Sequence, residues 1–347
     1  MMTPELGVSC VLTGFPGFEE RILRLRNSNR ENPETPEYLR WRYESFPGVP
    51  DPRVFWLKSA DGEWLGMATA IFRPYLVDGR RAHIAVIGDI SVDARHRRLG
   101  LGQMLLRFMT SDLDAHFPEG LGLVIPTDSA RRTLGRVGWT TAGELGSLVY
   151  VLDPGEYLRR VLRHRPLAGS LARPLRALAR QLARRHARAG GSLRLDTAPD
   201  ATTYEFLGRL PPGNQIRRAL PPGSLEWRYT RHPHSRFTFA TYRVADDVRG
   251  LLIFEEASVG GTCSIYDLFA TSDEDMRAMV ALFVMRCAGV AGLTTVRVAL
   301  DGAHPARASL RGVGFIPRPA EAVFQVHSFT GRAEHARWRI TQGDKDT

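Results

Sequence analysis

The chain has 347 residues, of which 43% are hydrophobic and 24% charged, the composition of a globular protein rather than a disordered one. Its net charge of +10 comes from residues 157–190, which hold ten arginines and no acid, so the charge is local and disfavours an extended nucleic-acid surface. No apolar run reaches the ~18–20 residues of a membrane span, and no basic segment precedes the short apolar stretch at the N-terminus. Three distant cysteines form neither a disulfide framework nor a metal site. We therefore expect a cytoplasmic protein with no metal.

The first 155 residues have the pattern of an α+β domain. In chain order we predict a helix ending at Trp41-Arg42-Tyr43, strands over 54–57, 65–72 and 83–92, a helix over 102–114, a strand over 121–125, a short helix ending at Gly138-Trp139 and a strand over 147–152. We interpret the Trp-Arg-Tyr segment as a helix anchor against the sheet. This mixed order with one crossover helix predicts a mixed central sheet in a three-layer domain.

An arginine- and glycine-rich turn lies between the third strand and the long helix. Its core is Arg97-x-x-Gly100-x-Gly102. Glycines let backbone amides approach an anion, and the helix N-terminus adds free N–H groups and a positive dipole, so the turn is suited to a diphosphate. Neither the dinucleotide-binding fingerprint nor the P-loop fits, since the first needs glycine where Leu105 stands and the second needs Gly-Lys-Ser/Thr.

This turn resembles the coenzyme A loop, Arg/Gln-x-x-Gly-x-Gly/Ala, of the GCN5-related N-acetyltransferases (GNAT). A second segment, Thr127-x-x-Ala130-x-x-x-Leu134-x-x-x-Gly138-Trp139, is similar to that family's Asn-x-x-Ala-x-x-x-Tyr-x-x-x-Gly-Phe. The resemblance covers residues 1–155 and implies an acyl-CoA-binding domain of the α/β/α GNAT fold.

The resemblance also implies a site and a co-substrate, acetyl-CoA or another short acyl-CoA. Its thioester carbonyl is expected at the Val92 amide and its diphosphate on the loop, so the expected binding residues are Val92, Arg97, Arg98, Leu99, Gly100, Leu101 and Gly102. Asp89 is a candidate general base, the alternative being a structural carboxylate paired with an arginine, and His96 is a second catalytic candidate. The family's general-acid tyrosine aligns with Leu134, which donates no proton, so the general acid stays open.

Residues 156–194 are predicted to form a basic amphipathic linker. One helical face carries leucines spaced i, i+4, i+7 and i+11: Leu171, Leu175, Leu178 and Leu182. We interpret this helix as docking its leucines on a domain and leaving its arginines in solvent. The alternative partners are an acidic carrier protein and an anionic membrane surface, and the second would place the protein at the membrane periphery.

Residues 195–347 repeat the first domain. Leu225-Glu226-Trp227-Arg228-Tyr229 matches Leu39-Arg40-Trp41-Arg42-Tyr43, and three further segments match in the same order. The second copy has residues 270–276 at the position of the arginine–glycine loop, and these include three acids and no glycine. This composition predicts a capped helix start and a degenerate domain. Asp267 repeats Asp89, which favours the structural alternative for both.

We therefore predict two tandem GNAT-like domains, 1–155 and 195–347, with one acyl-CoA site. The predicted activity is direct transfer of an acetyl or short acyl group, in a ternary complex, to a primary amine of a small molecule or peptide. The alternative is a non-catalytic tandem module that docks an acidic partner or an anionic membrane through its linker. Four points are left open: the identity of the acceptor, the length of the acyl group, whether the donor is coenzyme A or a carrier protein, and the oligomeric state.

Overall fold

The computed structural model describes residues 7–28, 30–44, 49–117, 120–156, 174, 177, 181–187, 190–211, 213, 215–258, 261–328 and 337–345. In the first repeat the elements are β1 (Ser9–Thr13), α1 (Glu19–Asn27), α2 (Pro36–Tyr43), β2 (Arg53–Lys58), β3 (Trp64–Val77), β4 (Arg80–Val92), α3 (Leu101–His116), β5 (Leu121–Val124), α4 (Asp128–Gly135) and β6 (Thr140–Val151). A 3-10 turn, Ala94–His96, lies between β4 and α3.

The second repeat has the same succession of elements. They are β7 (Gly191–Asp196), α5 (Ala201–Arg209), β8 (Arg217–Arg218), a π-helical segment (Glu226–Thr230), β9 (Phe237–Val244), β10 (Asp247–Ser258), β11 (Thr262–Ala270), α6 (Asp273–Cys287), β12 (Thr295–Asp301), α7 (Ala306–Val313) and β13 (Ile316–Ser328). A 3-10 turn, Gln342–Asp344, ends the described chain. The predicted strands and long helices of both repeats are therefore present.

The first repeat is a three-layer sandwich because its strands alternate their side chains between two helical layers. On β2, Phe55 and Leu57 pack in the core against α3, whereas Val54 and Trp56 pack in the core against α1 and α2. All four are fully buried. The predicted α/β/α fold with a mixed sheet is confirmed.

The two repeats share one mixed sheet and exchange their last strands. Its order is β1-β2-β3-β4-β5-β13-β6-β12-β11-β10-β9-β7, and β8 pairs with β3 off this path. Strand β13 pairs antiparallel with β5, from Gln325 opposite Val124, and β6 pairs antiparallel with β12, from Thr295 opposite Val151. Each repeat's last strand thus completes the other repeat's sheet. The division of the sequence at 155 and 195 stays a prediction, and neither range is a closed structural unit.

The repeated tryptophans meet at the approximate twofold axis that this exchange implies. Trp41 and Trp227 stack with ring centroids 5.2 Å apart and planes 15° apart. Each indole N–H donates to the other residue's carbonyl, at 2.7 Å from Trp41 and 2.9 Å from Trp227. The Trp-Arg-Tyr segment does anchor its helix on the sheet, through Arg42 and Tyr43, which bind Asp89 of β4, whereas its tryptophan anchors the two repeats on each other.

Only the end of the predicted linker helix lies within the described residues. Residues 181–186 are helical, Ala183 is fully buried in the core of the second repeat, and Arg184 and Arg185 are exposed. His186 Nε2 lies 3.1 Å from the carbonyl oxygen of Gly312 at the end of α7. Leu171, Leu175 and Leu178 lie outside the described residues. Within the described part of the chain, no helix is both long and apolar enough to cross a membrane.

Candidate active site

A cleft opens where β4 leaves β5. The two strands pair in parallel only from Ile84 opposite Leu121 to Val86 opposite Leu123. Further along, a β-bulge shifts the register of β4 against β3, and Asp89 in this bulge has a left-handed φ of 50°. A bulge bends its strand, so β4 turns away from β5 and leaves a gap.

This gap holds a cavity of about 230 Å³. Its two walls are residues 86–90 of β4 and residues 123–127 at the end of β5, with Ala130 of α4. Arg30 and Arg42 line it, and so do Asp344 and Lys345 from the end of the chain. The cavity therefore combines a strand split with charged side chains from three distant segments, as small-molecule sites do.

Asp89 lies on the bulged strand β4, and its carboxylate accepts hydrogen bonds from three side chains of α1 and α2. Arg26 Nη1 donates to Oδ1, while Arg42 Nε and Tyr43 Oη donate to Oδ2 at 3.2 and 2.8 Å. Its side chain is 1% exposed. Burial and the cation of Arg42 lower the pKa of Arg26 to about 10, so Arg26 stays charged at neutral pH, and burial raises the pKa of Tyr43. This geometry favours the structural alternative for Asp89, a carboxylate neutralised by arginines.

The same carboxylate–tyrosine pair recurs in the second repeat. Tyr229 Oη and Arg218 Nη2 both donate to Oδ2 of Asp267, which is 1% exposed. The Tyr–Asp pair was missed in the sequence, although both members repeat at nearly constant offsets and so carried a signal. It fixes the π-helical segment to β11, as Tyr43 fixes α2 to β4.

The arginine–glycine loop joins β4 to α3. Gly100 is the N-cap of α3 with φ of 78°, and Arg97 Nε lies 3.4 Å from the carbonyl oxygen of Val92. Within the described residues, the backbone N–H groups of 98–102 donate to no acceptor. Five consecutive free amides beside a helix N-terminus form an anion site of the predicted kind.

The other polar residues of this loop are tied to Asp93. Its carboxylate accepts from the Arg95 amide at 2.9 Å and from the Arg95 side chain, and these bonds lower the pKa of Asp93 to about 2. His96 Nδ1 lies 3.9 Å from Oδ1 of Asp93. His96 is not part of the cavity wall. Its catalytic role stays a prediction that this placement does not favour.

The position expected for a general acid is apolar. Leu134 is fully buried in the core under α3. Thr127, at the start of the same motif, lines the cavity and caps α4 by accepting from the Ala130 amide at 3.4 Å. Leu134 therefore offers no proton and faces no ligand, as the sequence predicts.

The second repeat has a capped helix where the first has its loop. Ser272 Oγ accepts from the Asp275 amide at 3.0 Å, and Ser272 and Thr271 donate to the Asp275 carboxylate. The equivalent cleft is occupied: residue Thr341 bridges to Leu300 of β12, and its Oγ1 donates to Asp267 of β11 at 2.6 Å. The chain's own C-terminal segment thus lies between β11 and β12.

This C-terminal segment also reaches the first cleft, and no pattern in the sequence predicts that it does. Tyr75 Oη donates to Asp344 at 3.0 Å, and Arg228 Nη2 donates to the carbonyl oxygen of Lys345. Burial raises the pKa of Asp344. A contact between residues about 270 positions apart depends on the exchange of strands, so no local pattern records it.

No group of three or more His, Cys, Asp or Glu side chains within the described ranges could hold a metal ion. His232 packs edge-on against Trp41, with ring centroids 4.4 Å apart, and its ring centroid lies 6.4 Å from that of His234, which stacks on Tyr38. Burial lowers the pKa of His232 to about 4, so it is neutral at pH 7. These histidines belong to the aromatic contact between the repeats.

Comparison with known proteins finds a family match for part of the first repeat and solved structures of the same fold. Residues 20–128 match the family model of the acetyltransferase (GNAT) family, and no curated protein sequence matches the chain. A probable N-acyltransferase from Enterococcus faecalis has a TM-score of 0.68 at 12% identity, covering 93% of this chain and 73% of that chain.

Two further solved structures have the same fold. A GCN5-related N-acetyltransferase from Anabaena variabilis has a TM-score of 0.63 at 11% identity, covering 92% of this chain and 73% of that one. Eis1 from Mycobacterium abscessus has a TM-score of 0.56 at 14% identity, covering 93% and 73%. The first repeat thus contains a segment, residues 20–128, that matches the GNAT family, and the chain shares the fold of these structures over nearly its whole length.

Proposed function

We propose that the first repeat transfers an acetyl or other short acyl group from coenzyme A to a primary amine, directly and in a ternary complex. One observation carries this proposal: the five free amides of 98–102 stand at the N-terminus of α3, beside a cleft. Such amides bind a diphosphate without strain because they need no rearrangement, and Arg97 and Arg98 add charge-assisted contacts.

The thioester is expected at the end of β4. The Asp93 amide donates to the carbonyl oxygen of Leu65 on β3 at 2.8 Å. Successive amides of an extended strand point to opposite edges, so the Val92 amide points to the edge from which β5 has separated. There it can donate to the thioester carbonyl and stabilise the oxyanion that forms during transfer.

The chemistry needs few further groups. The amine nitrogen attacks the carbonyl carbon, the C–S bond breaks, and coenzyme A leaves as its thiolate, so no proton from position 134 is required. The proton of the amine passes to water. Because Asp89 already accepts from three donors, we assign it the role of a positioning residue that holds α1 and α2 against the bulge.

The acceptor is expected in the cavity of about 230 Å³, whose size suits a small amine or the amine end of a longer molecule. A non-catalytic tandem module stays the second candidate. It is supported by Leu134, fully buried where the family has a tyrosine, and by the exposed Arg184 and Arg185 of the linker, which suit an acidic partner.

Calorimetric titration with acetyl-CoA tests the site. In Gly100→Ala and Gly100→Glu, no protein atom lies within 4 Å of the added Cβ. The new side chain therefore does not clash with the protein, but it occupies space that the bound diphosphate needs. Loss of one charge-assisted hydrogen bond, about 1.5–3 kcal/mol, weakens binding about 10- to 150-fold, and the carboxylate of the Glu variant adds repulsion.

Gly17→Ala is the matched control. Gly17 has φ of 82°, against 78° for Gly100, and its added Cβ also meets nothing within 4 Å. Both alanine variants therefore carry the same backbone cost, and only the Gly100 variant should lose affinity. Unchanged affinity in Gly100→Glu would remove the loop from the site, and no heat from the unmodified protein at millimolar acetyl-CoA would leave the non-catalytic module.

A further inference from the structure

The charged residues of the cavity point to the chemical class of the acceptor. Arg42 lines the cavity with its side chain 5% exposed. Its Nε donates to Asp89, but its Nη1 is buried and has no hydrogen-bond partner within the described residues. A buried guanidinium N–H without an acceptor destabilises the protein more than an unpaired neutral group does, so an acceptor from a ligand would recover stability.

The backbone of β4 is shaped to hold this guanidinium. A Cβ built on Gly88 would lie 2.5 Å from Arg42 Nη2. The guanidinium thus rests on the strand at the residue before the Asp89 bulge, and both Gly88 and Asp89 form the cavity wall. The unpaired donor therefore belongs to a side chain of the cavity wall, and it rests on β4 four residues before Val92, where the acyl group is expected.

The charges around this donor favour an anion. Arg26, Arg30 and Arg42 face two carboxylates, Glu34 and Asp89, so this cluster retains one positive charge. On the opposite side, Asp344 is engaged by the Tyr75 hydroxyl at 3.0 Å and lies 3.9 Å from Arg218. Lys345 adds a further cation to the cavity wall.

We propose that the acceptor is an aminocarboxylate, a small molecule with a carboxylate a few bonds from its primary amine, and that Arg42 binds the carboxylate. A planar guanidinium already fixed by Asp89 is preorganised for a planar carboxylate. An acceptor without a carboxylate would leave Nη1 unpaired, and a cationic acceptor would in addition be repelled by the surplus positive charge. This inference rests on the proposed function of the same cleft.

The test compares matched acceptors at saturating acetyl-CoA. Glycine, β-alanine and γ-aminobutyrate are each compared with their amide, and free-thiol release gives kcat/KM corrected for the unprotonated fraction of each amine. We expect the unmodified protein to prefer the best carboxylate over its amide about 10- to 100-fold, since a site built around a polar group rejects an analogue that leaves it unpaired.

Two variants assign this preference to Arg42. Arg42→Lys keeps the charge but removes the branched guanidinium that can donate to Asp89 and to a ligand at once. The ratio of kcat/KM for the carboxylate to kcat/KM for its amide should therefore fall to near unity. Gly88→Ala keeps Arg42 and displaces its guanidinium, which protects the test if Arg42→Lys fails to fold. Arg249→Gln, at a side chain 46% exposed, paired with Asp247 at 2.8 Å and outside the cavity wall, should retain the preference.

The outcomes separate the two proposals. Equal kcat/KM for carboxylates and amides, or a preference that survives Arg42→Lys and Gly88→Ala, overturns the aminocarboxylate inference and leaves acyl transfer standing. Acetyl-CoA binding without transfer to any of these amines overturns the inference and the transfer together. Absence of acetyl-CoA binding overturns the proposed function itself.

Discussion

The exchange of last strands predicts that a residue of the second repeat supports the fold of the first. Phe324 of β13 is 2% exposed, and it packs in a core that contains Tyr75, Ile84 and Leu123 of the first repeat with Trp338 of the second. Truncation to alanine, Phe324→Ala, removes these contacts and leaves a cavity that both repeats line.

The expected cost is about 3–5 kcal/mol, the usual range for a buried Phe→Ala change. With an unfolding entropy of about 2.1 cal/mol/K per residue, the 347 residues give about 0.7 kcal/mol per degree, so the Tm should fall by about 4–7 °C. Ile316→Ala on the same strand is the control, since Ile316 is 49% exposed and should change stability by well under half as much.

The assay is thermal unfolding followed by far-UV circular dichroism and by tryptophan fluorescence. We expect one transition that Phe324→Ala shifts equally for both probes, because the sheet is continuous through β5, β13 and β6. Two transitions of which only one moves, or a shift no larger than that of Ile316→Ala, would refute the shared core.

Three other predictions follow from the same structure. Trp41→Phe and Trp227→Phe each remove one reciprocal indole bond, and a double-mutant cycle on Tm should show a coupling of about 0.5–3 kcal/mol rather than additivity. Asp301 is 2% exposed, and burial raises its pKa to about 6; because the folded state binds this proton more tightly, stability falls as pH rises from 4 to 6. Asp301→Asn should flatten that fall in urea titrations across this range, and an unchanged slope would contradict it. Residues 1–155 expressed alone should aggregate, because β5 and β6 both lose their partner β13, and a monomeric folded product would contradict the exchange.

Local patterns predicted most elements of this fold. The alternation over 54–57 and the apolar run over 121–125 mark strands that the structure places at β2 and β5. The predicted helix over 102–114 is α3, with its N-terminus at Leu101. Strands β3 and β6 extend well beyond the predicted 65–72 and 147–152. The outer end of β3 pairs with β4 and, at Tyr75 and Leu76, with β8 of the other repeat, while the outer end of β6 pairs with β13 of the other repeat.

The residues around the site were predicted unevenly. The loop 97–102 could be found because glycine spacing and a following helix are local features, and its free amides follow from the same geometry. The arginines that pair with Asp89 could not, since Arg26 and Arg42 reach it across 63 and 47 positions, whereas the pairing with Tyr43 left a signal because both residues repeat in the second copy. Gly88 showed no pattern, because its importance depends on the side chain that rests on it.

By itself the sequence determined that the chain is a duplicated α/β unit with one arginine–glycine turn suited to an anion and a second copy in which acids replace it. These features depend on neighbours along the chain, where side-chain periodicity and helix capping act. Tertiary structure alone decided that β6 and β13 change places, that Trp41 meets Trp227, and that Asp344 and Lys345 enter the cleft of the other repeat. The physical reason is that strand edges pair with any complementary edge the fold brings close, a choice made by the packing of whole layers and not by the order of residues.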